Sequence, residues 1–587
     1  MKLLALGKAF LKKCFASKYS IFPQTQASLV FVKIKYFSKS KFYFDLLSLI
    51  CNFAVYTTLA ITIATMVQTK VYPVGIYTFK DIIESDLFYV DKTEYIYKIT
   101  QNFRYVFLSR PRRFGKSLLV DTLQCYFEAK KVLFKGLAID ALEKEWVKYP
   151  VLRFDMSTIK AVDASGVRDR LNSMLHDYEN IYGRVEVEKS FGDRLIGLIK
   201  RAYAQSGQKV VLLIDEYDSA LLKVMHNKAV FDELREILRD FYAPIKICDA
   251  MLRFGFITGI TKFSQLSIFS EINNLMDISM ESDYSGICGI SKEELLSQCK
   301  PDIQSMADSM GCSYDEVVNK LTENYDGYHF SFKSEDIFNP FSLINAFATK
   351  RIGQYWYSTG TPTFLFEQMK KWYMDIRDVD GQVVDEGSFN ISPETADSAL
   401  PVLYQSGYLT IKDYEDEMQQ YTLGFPNKEV KNGFLRSFLP TVSNIAWPKS
   451  NQTIVAITRA LNADDIDTAL THLKAYISAI PYYYENKTEP AFQTIMYLIL
   501  SLLGQYIKVE VNNAVGRTDA VLETANTVYI IEYKVDKSAD EALQQIEDKH
   551  YADPYAADKR RILKVGVNFS TESRTIEGWK TCPKATD

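Results

Sequence analysis

At 587 residues the chain is too long for one hydrophobic core, and about three or four domains are expected. Hydrophobic residues make up 47 % and charged residues 24 %, with 38 Tyr and 36 Phe, which excludes a disordered chain. A net charge of -4 excludes nucleic-acid binding by bulk basicity, and eight Cys without a CxxC pair plus five scattered His exclude zinc spacing and a His-based metal site.

Residues 1–41 are rich in Lys and aromatics, and an uncharged apolar run at 46–67 is long enough to span a bilayer. From Val71 onward the pattern is that of ordinary domains. A turn at Pro73 to Gly75 leads into residues 79–97, of mixed helix and strand character. An apolar strand is expected at 105–108, a helix at 116–128, a strand at 151–156 and a helix at 168–181. Residues 210–214 form a continuous β-branched and aliphatic run, the mark of a strand buried on both faces. An amphipathic helix at 231–242 and a strand at 254–258 continue the alternation, which predicts an α/β fold with a parallel sheet.

Beyond Gly289 the pattern turns helical, over 291–310 and 314–324. Residues 351–475 are helix-rich with short strand-like pieces and carry no evident chemistry. A helix at 489–503, strands at 508–511, 519–523 and 528–535, a helix at 539–551 and a strand at 562–567 form a final α/β unit. The expected division is 1–70 an N-terminal extension, 71–290 a P-loop domain, 291–350 a helical lid, 351–475 a middle region and 476–587 a C-terminal domain.

The chemistry begins with Arg110-Pro-Arg-Arg-Phe-Gly-Lys-Ser117, set between a strand and a helix. Gly115 lets the backbone turn so that amides face phosphate oxygens, Lys116 reaches the β- and γ-phosphates, and the Ser117 hydroxyl ligates Mg²⁺. The residues expected to cradle ATP are Arg113, Phe114, Gly115, Lys116, Ser117 and Leu118. Arg110 occupies the place of the usual first Gly, where a positive φ is costly, so the loop must open differently. Arg110, Arg112 and Arg113 suit phosphate, DNA or a solvated face equally. About a hundred residues on, the run Val-Val-Leu-Leu-Ile ends in Asp215 and Glu216. Asp215 is expected to hold Mg²⁺ and Glu216 to polarise the attacking water.

In the C-terminal unit Gly516-Arg-Thr-Asp519 is followed thirteen residues later by Glu532-Tyr533-Lys534. Alternate strand residues share a face, so Glu532 and Lys534 project together and Tyr533 points the other way. Asp519 on a neighbouring strand would meet Glu532, giving a hard oxygen site for Mg²⁺ or Mn²⁺. Lys534 would orient the water that attacks a phosphodiester. Glu489 is a weaker candidate ligand.

The stretches YPVGIYTFKDI, LFYVDKTEYIYKI, FLSRPRRFGKSLLVDTL, LLIDEYDSAL and GFITGITKFSQLSIFSEINNLMDIS resemble the bacterial AAA-ATPase-like proteins with a C-terminal PD-(D/E)XK nuclease domain. The likeness runs from Val71 to the end. It implies a P-loop NTPase (AAA-like) parallel-sheet domain, a helical middle region and an α/β restriction-endonuclease-like domain. It makes RPRRFGKS a family trait, places a γ-phosphate contact somewhere in 258–262, and assigns Gln545 a supporting place beside the nuclease site. The function it implies is an ATPase coupled to a metal-dependent nuclease, with ATP and nucleic acid, DNA before RNA, as partners. An ATP-switched scaffold or sensor that binds without cleaving is the alternative, and an oligomer is compatible with either. The basic residues before the 46–67 run and the acidic ones after it would export the ATP-binding part. The chain is therefore expected in the cytoplasm with Met66 as its start, and a membrane anchor is the lesser reading.

Overall fold

The computed structural model describes residues 71–160, 163–262, 275–359, 365–366, 369, 375–480, 489–506, 508–511 and 519–583. The 46–67 run and Gly516 to Thr518 lie outside them. Among the described residues no helix is long and apolar enough to cross a membrane.

Apolar runs too short for helices become five parallel strands: β1 (Tyr105–Ser109), β2 (Val151–Asp155), β3 (Val210–Asp215), β4 (Leu252–Gly259) and β5 (Leu275–Asp277), in the order β2-β3-β4-β1-β5. β3 is buried at every position, as a strand covered on both faces must be. Helices Phe79–Glu84, Thr93–Asn102 and Lys116–Phe127 pack with Val106, Leu108, Val211 and Leu213. On the other face Tyr105, Phe107, Leu212 and Ile214 meet helices Ala164–Tyr182, Phe191–Ser206 and Lys228–Tyr242. Residues 79–97, of mixed character in sequence, contain helix but no strand. Because β4 lies between β1 and β3, with Leu108 beside Thr258 and Ile214 beside Ile257, three strand ends converge around the phosphate loop.

A small ribbon, β6 (Ile290–Ser291) with β7 (Ile337–Phe338), introduces the helical part. The single helix expected over 291–310 is two, Lys292–Gln298 and Lys300–Met310, parted at Cys299 just before Pro301. Helices Tyr314–Tyr325 and Pro340–Thr349 follow. The middle region holds an antiparallel sheet of β8 (Gln382–Asp385), β9 (Thr410–Glu415) and β10 (Gln420–Gly424), then helices Lys428–Ser443, Trp447–Asn462 and Ile466–Ser478.

The C-terminal sheet runs in chain order through β11 (Lys508–Val511), β12 (Ala520–Glu523), β13 (Thr527–Val535), β14 (Arg561–Ser570) and β15 (Thr575–Pro583). Only β13 and β14 are parallel, because helix Ala539–Asp548 crosses over between them. Helix Glu489–Leu503 and this crossover helix cover opposite faces. Gly566 on β14 is the point of closest approach: a Cβ there would sit 2.3 Å from the Ala539 carbonyl oxygen. Gly566→Ala is therefore expected to lower stability by about 1–3 kcal/mol, read as a falling thermal midpoint. Gly578→Ala on β15, where a Cβ meets nothing within 4 Å, should leave the midpoint in place.

Candidate active sites

β1 delivers the chain to the loop at Ser109, and Gly115 ends it at φ 96°, directly before helix Lys116–Phe127. A Cβ on Gly115 would meet nothing within 4 Å, so glycine is required by backbone conformation and not by space. No side chain caps the helix start, which leaves its first amides for an anion. Lys116 is buried and donates to the carbonyls of Arg110 at 2.8 Å and Pro111 at 3.0 Å. Burial draws its pKa down, and the nearby Glu216, Asp215 and Asp218 oppose that.

The first arginine is not a solvated side chain. Arg110 is 2 % exposed, donates to the carbonyls of Ser109, Ser279 and Tyr284, and stacks at 4.0 Å on Phe330. The loop opens differently, as expected: its left-handed residues are Arg113, at φ 65°, and Gly115. Arg112 and Arg113 are exposed, the latter over the Phe341 ring. Phe114 turns its ring into the core against Tyr328 and Phe330, so only its backbone faces the loop. Leu118, half-buried, follows in the first helical turn.

At the end of β3, burial raises Asp215 to about 6, opposed by a hydrogen bond with Ser117 and reinforced by Glu216. Its Oδ1 is buried with no partner among the described residues, and so is Oγ1 of Thr258. Extending the β3–β4 register puts these two residues side by side. Unsatisfied buried oxygens are rare; an oxygen-seeking cation would satisfy the carboxylate, and a phosphate oxygen would accept from the hydroxyl. Glu216 follows in left-handed backbone at φ 50°, a conformation a non-glycine residue holds only under constraint. Two residues on, the Asp218 carboxylate accepts from the amides of Ile260 and Thr261 and from the Thr261 hydroxyl, at 2.9, 2.6 and 2.7 Å, and so ties the end of β3 to the segment after β4. Asp218 was not singled out in sequence, where it reads as one more acid after a strand. Within 258–262 Thr258 is the unpartnered group, whereas Lys262 bonds Asn390 and Asp277.

In the C-terminal sheet the β12–β13 pairing of Ala520 with Ile531 carries Asp519 alongside Glu532. The Asp519 amide donates to Glu532 Oε2 at 3.3 Å, and the Tyr533 amide donates to Asp519 Oδ2 at 2.9 Å. Lys534 donates to Glu532 at 3.1 Å and to Gln545, whose amide also donates to Glu532. Tyr533 points to the opposite face, its ring edge-on to Phe492. The four residues anticipated for this site, Asp519, Glu532, Lys534 and Gln545, thus meet in one cluster. Burial first and the Glu532 charge second push the Asp519 carboxyl up to about 7. A divalent cation between the two carboxylates would relieve that repulsion, so the donor set fits Mg²⁺ or Mn²⁺. Among the described residues no group of three or more His, Cys, Asp or Glu gathers for a metal. Backbone carbonyl, water or phosphate oxygens would therefore complete the shell. Glu489 opens helix Glu489–Leu503, and its side chain lies outside the described residues.

Residues 73–269 match the family described as predicted AAA-ATPase, and residues 487–579 match the PD-(D/E)XK nuclease superfamily. The chain is also 33 % identical over 525 residues to an "uncharacterized protein in vnfD 5'region" of Azotobacter chroococcum mcd 1, covering 87 % of this chain and 98 % of that one.

A carboxyl raised to about 7 in the folded state destabilises that state as pH climbs from its unfolded value near 4 through neutrality. In chelator, Asp519→Asn should thus match wild type near or below pH 4 and gain thermal midpoint over it by pH 8. At pH 8, Mn²⁺ should raise the midpoint of wild type and not of the variant. A difference independent of pH would show that Asp519 is not strained by its neighbour.

Proposed function

The chain belongs to the family of predicted AAA-ATPases that end in a PD-(D/E)XK nuclease superfamily domain, and from that premise we propose that it is an ATP-hydrolysing P-loop ATPase coupled to a metal-dependent nuclease. One chain gathers two separate carboxylate sites, each beside a lysine, the first at the end of buried β3 and the second where β12 pairs with β13, and this carries the reading.

At the first site the amides of residues 113 to 118 and the Lys116 ammonium bind the triphosphate. Leaving its two carbonyls for phosphate oxygens exchanges neutral acceptors for charged ones, which favours the bound form. Ser117 and Asp215 would hold Mg²⁺, which neutralises charge on the phosphates. Glu216, two residues before the Asp218 clamp, accepts the proton of the attacking water. Thr258 supplies a hydroxyl toward the γ-phosphate.

At the second site Asp519 and Glu532 would hold Mg²⁺ or Mn²⁺, whose charge offsets that developing on a phosphodiester. Lys534 orients the attacking water and Gln545 fixes both Lys534 and Glu532. The substrate is nucleic acid, DNA before RNA, met through a local surface, since the chain is not basic overall. The ATPase unit is assigned to 71–290, the lid to 291–350, the middle region to 351–475 and the nuclease to 476–587. The need for ATP places the protein in the cytoplasm.

Wild type, Lys116→Ala and Glu532→Ala compared for ATP hydrolysis and for DNA and RNA cleavage test this reading. Lys116→Ala should lose hydrolysis by about a hundredfold or more, and Glu532→Ala should lose cleavage to the same degree with hydrolysis intact. Wild type that hydrolyses ATP but cleaves nothing with Mg²⁺ or Mn²⁺ would overturn the nuclease half and favour an ATP-switched scaffold.

A further inference from the structure

Trp356 lies in the middle region, far in sequence from both sites, yet its indole Nε1 donates to the carbonyl of Arg112 in the phosphate loop at 2.9 Å. It is 5 % exposed and its ring meets Tyr408 edge-on at 5.3 Å. The backbone amide of the same residue donates at 2.7 Å to Glu429 Oε1, while Ser342 donates its hydroxyl at 2.7 Å to Glu429 Oε2. Glu429 is buried in the first turn of helix Lys428–Ser443. One turn on, Gly433 lies so close under the Tyr357 ring that a Cβ would fall 2.3 Å from it. A further turn along, Arg436 donates to Gln354 at 2.8 Å and to Gln505 at 2.5 Å. Gln505 stands between helix Glu489–Leu503 and β11. That helix carries Phe492, edge-on to Tyr533 between Glu532 and Lys534.

We infer that residues 354–357 form a strap that ties the phosphate loop, through the Trp356 indole and helix Lys428–Ser443, to the nuclease sheet. A buried carboxylate, a bare glycine and an arginine fix the strap on one helix face at three successive turns. Such anchorage exceeds what a surface connection needs. Among the described residues it leaves the Arg112 carbonyl as the strap's hydrogen bond to the loop. Any change in that loop on binding phosphate therefore pulls on a rigid lever and not on a free segment. The inference rests on the loop being a nucleotide site, and it assigns the route by which nucleotide regulates the nuclease.

Hydrogen–deuterium exchange of the full-length protein with and without ATPγS tests it, in wild type, Trp356→Phe and Glu429→Gln. Trp356→Phe keeps a ring against Tyr408 and removes only the donor. Glu429→Gln keeps the shape and loses an acceptor, a second cut should the first variant fold poorly. In wild type ATPγS should slow exchange by about tenfold or more across 112–127, 428–443 and 508–511. In either variant protection at 112–127 should remain, with nucleotide affinity changed by no more than about tenfold, while protection at 428–443 and 508–511 is lost. Protection at 112–127 alone in wild type, or undiminished distant protection in both variants, overturns the strap. No protection at 112–127 in wild type overturns the nucleotide reading beneath it.

Discussion

Two carboxylates in this protein sit where water cannot fully solvate them, Asp215 with one oxygen unpartnered among the described residues and Asp519 against a second charge. Burial pushes Asp215 up to about 6 at the end of β3, and burial with the Glu532 charge pushes Asp519 up to about 7 beside β13. Folding would ordinarily avoid this, since an unpaired buried oxygen costs about 1–3 kcal/mol. The surrounding strands fix where these side chains start. β3 is closed in by β2 and β4, and Glu532 is held between β12 and β14. The rest of each site is arranged around that strain. Ser117, Lys116 and Thr258 converge on one carboxylate, while Lys534 and Gln545 brace the other.

The phosphate loop shows the same economy in a different form. Where a glycine usually opens such loops, this chain has a buried arginine that fastens the loop to the segment after β5 and to Phe330. The turn is made later, at Arg113 and Gly115. The loop is therefore anchored at its start by a charged side chain and released at its end by a glycine. Its carbonyls are in turn occupied by Lys116 and by Trp356. A loop bound so firmly on both sides communicates its state outward, which a solvated loop would not.

Much of this was legible in sequence because it depends on local pattern. The strand before Arg110, the helix after Gly115 and the apolar run into Asp215 formed as expected. Residue alternation alone placed Glu532 and Lys534 on one face and Tyr533 on the other. What escaped depended on distant partners. Arg110 looked like an irregularity in a basic loop, and its carbonyl partners at Ser279 and Tyr284 are more than 150 residues away. Helix Phe191–Ser206 and β15 were passed over: the first has polar residues between its apolar ones, and the second is a polar edge strand with a central Gly578. The middle region carried no motif, yet within it Trp356 bonds the phosphate loop and Arg436 bonds Gln505, just past the helix beneath the nuclease sheet. Asp218 was hidden by the two acids before it, because only the register of β4 shows what its carboxylate holds.

Each of the two carboxylate sites should bind a divalent cation, the first with nucleotide and the second without it. Counting Mn²⁺ bound per chain at pH 8 by electron paramagnetic resonance, with and without ATPγS, addresses this directly. One ion without nucleotide and two with it are expected, the first lost in Asp519→Ala and the second in Ser117→Ala. No ion bound without nucleotide, or a count unchanged by either substitution, would contradict the account.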